Sequence, residues 1–182
     1  MNHVLQTFSG IEPRIGQRVY LAPGATLIGD VEIGDDASIW PNTVIRADVN
    51  RVCIGARSSV QDGTVIHVSG SALEGGGDGY PTLIGCDVTV GHRAILHGCR
   101  IADFALIGMG SIILDGATIG CAAMIGAGSL VPSGRVVGDG ELWFGNPARF
   151  VRHLNAEEIQ ALHRGAAHYV AIKDRYLTEP HP

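Results

Sequence analysis

The chain repeats itself every six residues, and that period constrains its fold more than any other feature. From Ile15 the blocks read IGQRVY, LAPGAT, LIGDVE, IGDDAS, IWPNTV and IRADVN, ending at Asn50. After a three-residue interruption, RVC, come IGARSS, VQDGTV and a fragment, IHV. The pattern resumes at Ile84 with IGCDVT, VGHRAI and LHGCR, the last one residue short. From Ile101 it runs unbroken to Ala148 through IADFAL, IGMGSI, ILDGAT, IGCAAM, IGAGSL, VPSGRV, VGDGEL and WFGNPA. The first position is Ile, Leu or Val in every block but the last, where Trp143 stands. The fifth is mostly small, as at Ala25, Ala37, Thr43, Ala94, Ala105, Ser111, Ala117, Ala123 and Ser129.

A strict period of six suits neither a helix, with 3.6 residues per turn, nor an alternating strand. It predicts short strands joined by tight corners and wound so that the aliphatic residues stack in a narrow interior. The 26 glycines among 182 residues, spread without a three-residue period, agree with many corners. The pattern resembles that of hexapeptide-repeat proteins. That resemblance implies an all-β fold, a left-handed parallel β-helix with three faces and about 18 residues per coil. Some seven coils then cover residues 11–148. The segment SGSALEGGGDGY, residues 69–80, has five glycines and no aliphatic register, so it reads as a loop leaving the coil.

Beyond the repeat, residues 149–178 read as a C-terminal helical segment. Asn155 followed by Glu158 predicts an N-cap. Ile159, Leu162, Ala166, Tyr169 and Leu177 fall near one face, which predicts a helix packed back along the coil.

Two histidines five residues apart, His92 and His97, stand out in VGHRAILHGC. With the twelve loop residues removed, His67 and His97 are 18 residues apart, one full coil. They should therefore stack on one face in adjacent rungs, about 4.8 Å apart. His92, in the preceding block, lies around a corner and cannot readily reach the same point within one chain. In a three-fold trimer, however, its face can abut the His67–His97 face of the next chain. Three neutral imidazoles and a water make a tetrahedral set suited to Zn2+, and tolerated by Co2+ or Fe2+.

The stretches RADVNRVCIG, VQDGTVIH, TVGHRAILHGCRI, IGMGSIILDGA and IGAGSLVP resemble the γ-class carbonic anhydrases and similar bacterial proteins. The resemblance spans nearly the whole chain. It implies hydration of CO2 to bicarbonate at zinc sites shared between the chains of a homotrimer. It makes His67, His92 and His97 the metal ligands and Gln61 the residue that hydrogen-bonds the bound water or bicarbonate. It makes Arg46 and Asp62 an ion pair across the trimer interface, with Asp48 in the same polar cluster, and puts Tyr169 near the active site. The family archetype has a glutamate where this chain has Val49, and a helix asparagine where it has Ala171. For the loop acid only Glu74 and Asp78 are available, and Glu74 is the candidate proton carrier.

Other functions are narrowed by what is missing. A net charge of −5 without a basic run argues against nucleic-acid or anionic-membrane partners. No apolar run approaches the roughly 20 residues of a membrane span, and the N-terminus does not read as a signal peptide. Four cysteines without paired spacing suggest reduced thiols in the cytoplasm. There is no nucleophile elbow, P-loop or G-x-G-x-x-G. Two rivals remain: a hexapeptide-repeat acyltransferase, and a metal-binding scaffold without catalysis.

Overall fold

The structure, a computed structural model, describes residues 3–70 and 78–179. It is a parallel β-solenoid of about seven turns carrying a single C-terminal helix. Strands two or three residues long pair with their counterparts one coil away. The longer strands Thr26–Ile33 and Val44–Ile54 bend across a corner and join two faces into one twelve-stranded sheet. The third face is a separate eight-stranded sheet, closed at its end by the antiparallel strand Ala148–His153.

The six-residue pattern maps directly onto burial. First-position residues from Leu27 through Ile66 to Val137 stack as one core with little or no exposure, and Trp143 closes the stack. Fifth-position residues such as Ala25, Thr43, Ala94 and Ser111 are also fully buried, where a larger side chain would collide with the stack. The fourth position makes the corner. It takes the left-handed conformation at Gly63, Gly110 and Gly128, and equally at Asp36, Arg57, Asp87, Arg93 and Phe104. A non-glycine residue there costs about 1 kcal/mol, and several are held by contacts to the next coil. Arg57 clasps Asp87 through both carboxylate oxygens at 2.8 and 2.6 Å, and Arg18 clasps Asp36 in the same way.

Three irregularities interrupt the winding. The three surplus residues expected at Arg51–Cys53 lie slightly earlier: Ala47 pairs with Gly29 and Val52 with Val31, so Asp48–Arg51 bulge opposite Asp30. The excursion at 69–80 leaves and returns in register, its base closed by an antiparallel bridge between Ser69 and Tyr80. The short block LHGCR is absorbed at Gly98, which takes φ 56. The β-structure also starts ahead of Ile11, because Val4–Gln6 pairs with Thr26–Ile28. At the other end Ala148–His153 is a strand rather than part of the helical segment.

The terminal helix runs Ala156–Thr178 and begins in a full capping box. The Asn155 side chain accepts from the Glu158 amide, and the Glu158 carboxylate accepts from the Asn155 amide. Leu162 and Ala166 are buried against the coil, while Ile159 and Tyr169 pack partly. Leu177 is 46% exposed, contrary to its expected place on the packed face. Lys173 takes the buried position instead and is fully enclosed. Its ammonium donates to the Arg18 carbonyl at 2.9 Å and to Asp36 at 2.7 Å, and pairs with Asp174 at 2.6 Å. No helix among the described residues is long and apolar enough to cross a membrane.

Lys173 is therefore the polar pin of the helix. Hydrogen bonds from Arg18 and then Lys173 lower the Asp36 carboxyl from 3.8 to about 2. A depressed carboxylate stabilises the fold above its unfolded value and loses that contribution as pH falls towards its folded value. The pin should thus be complete above about pH 4 and fail as pH drops towards 2. Lys173→Ala removes the cation from a buried pair and should cost about 3 kcal/mol, read in thermal unfolding followed by circular dichroism. An unchanged midpoint at pH 7 would contradict this role.

Candidate metal centre

The two strands Val65–His67 and Ile95–His97 are hydrogen-bonded neighbours on one face, with His67 opposite His97. Their imidazoles meet: His67 Nδ1 is 3.0 Å from His97 Nε2, and the ring centroids are 5.0 Å apart. The outer nitrogen of each ring faces a carboxylate. His67 Nε2 lies 3.0 Å from Asp48 Oδ1, and His97 Nδ1 lies 2.6 Å from Asp115 Oδ1.

This chain of contacts fixes the tautomers. A carboxylate can only accept, so the ring nitrogen facing it carries the proton. A neutral imidazole has one N–H and one lone pair. His67 Nδ1 and His97 Nε2 are then both lone pairs, pointed at one another. Only an electron-deficient centre between or beside them, a proton or a metal cation, reconciles that contact. Two nitrogens at tetrahedral angles on one zinc are roughly 3.3 Å apart, given Zn–N bonds of about 2.05 Å. The observed pair is close to that bite, so these residues fit a metal.

His92 stands elsewhere, on the corner turn before Ile95–His97. Its Nδ1 is 2.9 Å from Asp62 Oδ2, and nearly half of both side chains is exposed. Among the described residues no three metal-ligating side chains converge within one chain. Gln61, Asp62, His92 and Tyr169 instead line a cavity of about 290 Å3 between the coil and the terminal helix, walled by Tyr20 and Trp40. An adjoining, mostly apolar cavity of about 380 Å3 reaches the same Gln61, His92 and Tyr169. Gln61 is buried and Tyr169 half-buried.

The remaining expected residues separate in the same way. Arg46 pairs with Asp48 within its own strand, and Asp62 pairs with His92, so Arg46 and Asp62 are engaged apart in the single chain. Burial acts to raise the Asp48 carboxyl, but hydrogen bonds from His67 and Arg46 outweigh it and lower it. Glu74 lies outside the described residues. Sequence reasoning missed Asp115, which stands 18 residues after His97 and is thereby on the next coil of the same face. It also missed Ser69, whose hydroxyl donates to Asp115 Oδ2 at 2.8 Å. Cys99, close to His97 in sequence, is wholly buried and its thiol is raised to about 12 by that burial, so it packs rather than ligates.

Comparison with known proteins relates the chain to a family. A family model described as bacterial transferase hexapeptide (six repeats) matches residues 12–47. A probable carbonic anhydrase of Methanocaldococcus jannaschii is 50% identical over 88% of this chain and 96% of that protein. Gamma carbonic anhydrase 2, mitochondrial, of Arabidopsis thaliana is 42% identical over 92% of this chain and 59% of that protein. The chain belongs to the γ-carbonic anhydrase family. By that kinship it is an enzyme of carbonic anhydrase type, and γ-carbonic anhydrase relatives imply a metal cofactor. A solved Bacillus cereus structure, described as a putative acetyltransferase, shares the fold with a TM-score of 0.90 and 43% identity over 97% of this chain and 98% of that one.

If Asp48 serves to orient His67, Asp48→Asn should weaken retention of a bound divalent metal about 10- to 100-fold, a usual range for such supporting partners. Competition with a chelator of known affinity measures this directly. Equal retention in the variant and the parent protein would remove Asp48 from the site.

Proposed function

We propose that this γ-carbonic anhydrase family member hydrates CO2 to bicarbonate with zinc, at sites shared between the chains of a homotrimer. The observation that carries the reading is the 3.0 Å approach of His67 Nδ1 to His97 Nε2, with a carboxylate at the far nitrogen of each ring. His92, exposed and backed by Asp62, is the third nitrogen and comes from the neighbouring chain. Zinc prefers such a set, and Fe2+ or Co2+ accept it.

The outer surface of the histidine face supports the trimer. Val44, Val65, Ile95, Ile112 and Leu130 stack in register as an outward aliphatic stripe beside the histidines. Val65 and Ile95 are 42% and 41% exposed, which invites burial against a second copy. The second face is less apolar, with Arg14, Glu32, Arg100 and Thr118 outward. The third lies partly under the terminal helix. Arg46, on the histidine face, and Asp62, at its corner, are proposed to meet across that interface.

Zinc held by three imidazoles supplies Lewis acidity that makes water a nucleophile near neutral pH. The chain's own residues do the rest. Asp48, Asp62 and Asp115 hold the imidazoles in the ligating tautomer. Gln61, buried at the cavity beside His92, orients the nucleophile and the bicarbonate through its side-chain amide. Each turnover releases a proton, and its export falls to Tyr169 at the cavity wall and to Glu74 of the excursion. Free thiols at all four cysteines suit a cytoplasmic protein.

Acyl transfer is the second reading, favoured by the description of the Bacillus cereus structure. Stopped-flow CO2 hydration by zinc-loaded and chelator-stripped protein separates the two. A metal-dependent rate that falls to the buffer level in His97→Ala is the expected result. Metal-independent turnover of acetyl-CoA would favour acyl transfer, and bound metal without either activity a scaffold.

Site sharing has its own test. His92→Ala and His97→Ala chains should each be inactive alone. Co-expressed in equal amounts they form mixed trimers of about three times the 19.1 kDa chain mass. Intact sites then arise wherever a chain keeping His92 abuts one keeping His97, restoring roughly one quarter of the parent activity. A mixture as inactive as its parts would refute sharing between chains.

A further inference from the structure

We propose that Ser69 and Asp115 are positioning residues for His97, forming a clamp by which the base of the 69–80 excursion sets the imidazole lone pair. This rests on the metal-site reading above and extends it to residues outside the histidine set. Asp115 uses both oxygens, taking the His97 Nδ1 proton on Oδ1 at 2.6 Å and the Ser69 hydroxyl on Oδ2 at 2.8 Å. The carboxylate therefore cannot swing from His97 without giving up Ser69.

Three further features hold the clamp closed. The Ser69 backbone is paired in both directions with Tyr80, at 3.0 and 2.9 Å. Asn50 donates through Nδ2 to the Ser69 and Asp78 carbonyls at 3.1 and 3.0 Å, tying both ends of the excursion to the bulged strand that carries Asp48. Gly98, next to His97, is the third. A Cβ there would collide with Asp115 Oδ1 and come within 2.7 Å of the Tyr80 Cβ. The missing side chain at Gly98 is the space in which the carboxylate reaches His97.

The consequence is chemical. The neutral histidine side chain in water favours a proton on Nε2, which in His97 would block the nitrogen facing His67. Asp115 reverses that preference by accepting from Nδ1, and Ser69 keeps Asp115 aimed. A carboxylate or other partner on the far nitrogen fixes the tautomer of a ligating histidine in this way. The excursion is thereby more than an insertion between coils, because its first residue completes the support of a metal ligand.

Two readouts test the clamp, one of them independent of metal. Long-range 1H–15N spectra of 15N-histidine-labelled, metal-free protein report which nitrogen of His97 bears the proton. The parent should show Nδ1–H, and Ser69→Ala and Asp115→Ala should populate Nε2–H. Ser69→Thr, which keeps the hydroxyl, should restore the parent spectrum. Zinc affinity by chelator competition should fall about 10- to 100-fold in Asp115→Ala and by less in Ser69→Ala, with recovery in Ser69→Thr. An Nε2–H tautomer in the parent, or a Ser69→Ala protein with parent spectrum and affinity, overturns the proposal. A parent that binds no zinc yet switches tautomer in both alanine variants would sustain the clamp and refute the metal site.

Discussion

Each coil hangs from the next by backbone hydrogen bonds between parallel strands, most of them only two or three residues long, so no short strand stands without its neighbours. The stacking of Leu27, Ile45, Ile66, Leu96 and Ile113 through the interior does the rest. Both requirements demand that equivalent residues lie over one another coil after coil. A residue gained or lost must be expelled where the chain can leave and return in register. The three departures in this chain are expelled at Asp48–Arg51, at 69–80 and at Gly98. The polar residues of the histidine face sit at those points: Asp48 on the bulge, His67 just before the excursion, His97 just before Gly98. A repeat builds a rigid frame, and its irregularities give the frame chemistry.

Outward residues divide the three faces by task. Inward positions are nearly the same on all faces, so the core cannot distinguish one from another. The distinction comes from what the same strands turn outward: aliphatic residues beside the histidines, a mixed column on the second face, and a third surface covered by the helix. That helix is oriented by both kinds of interaction. Leu162 and Ala166 give it adhesion, and the enclosed Lys173 fixes where along the coil it sits by reaching Asp36 and the Arg18 carbonyl. Tyr169 is thereby held against the cavity that Gln61 and His92 line. The cost of corner strain at Arg18 and Asp36 is returned in part here, because the residues that make the turns also form the socket.

Much of this was legible from residues alone, because register is a one-dimensional property. First-position aliphatics foretold the core, and the distance between His67 and His97, less a glycine-rich interlude, foretold their pairing. What register could not disclose was direction. Nothing in ILDGAT says that Asp115 turns towards His97 rather than solvent, since the third position of other blocks caps amides instead, as Asp103 does at Cys86. Lys173 was invisible because a helical face is read from apolar residues, and a lysine is enclosed only when a carboxylate and a carbonyl await it. Leu177 was misplaced for the converse reason: at that level the side chain turned to the coil is Tyr176, whose ring lies 5.2 Å from Tyr20 and 5.3 Å from Trp40.

The difference among the three carboxylate–histidine pairs also bears on the proposed sharing of the site between chains. Asp48–His67 and Asp115–His97 converge, so their lone pairs already meet and need a cation between them. Asp62–His92 is built in the same fashion, one carboxylate per ring, but on a corner where, among the described residues of its own chain, it joins no group of three metal-ligating side chains. A ring prepared at that cost and left half exposed is explicable if its complement lies on another molecule. The winding makes that separation unavoidable. Residues five apart straddle a corner, whereas residues one coil apart share a face, so a single β-solenoid can stack two histidines but cannot turn the third towards them. Two chains side by side can, so on the proposed reading assembly is a condition of the chemistry.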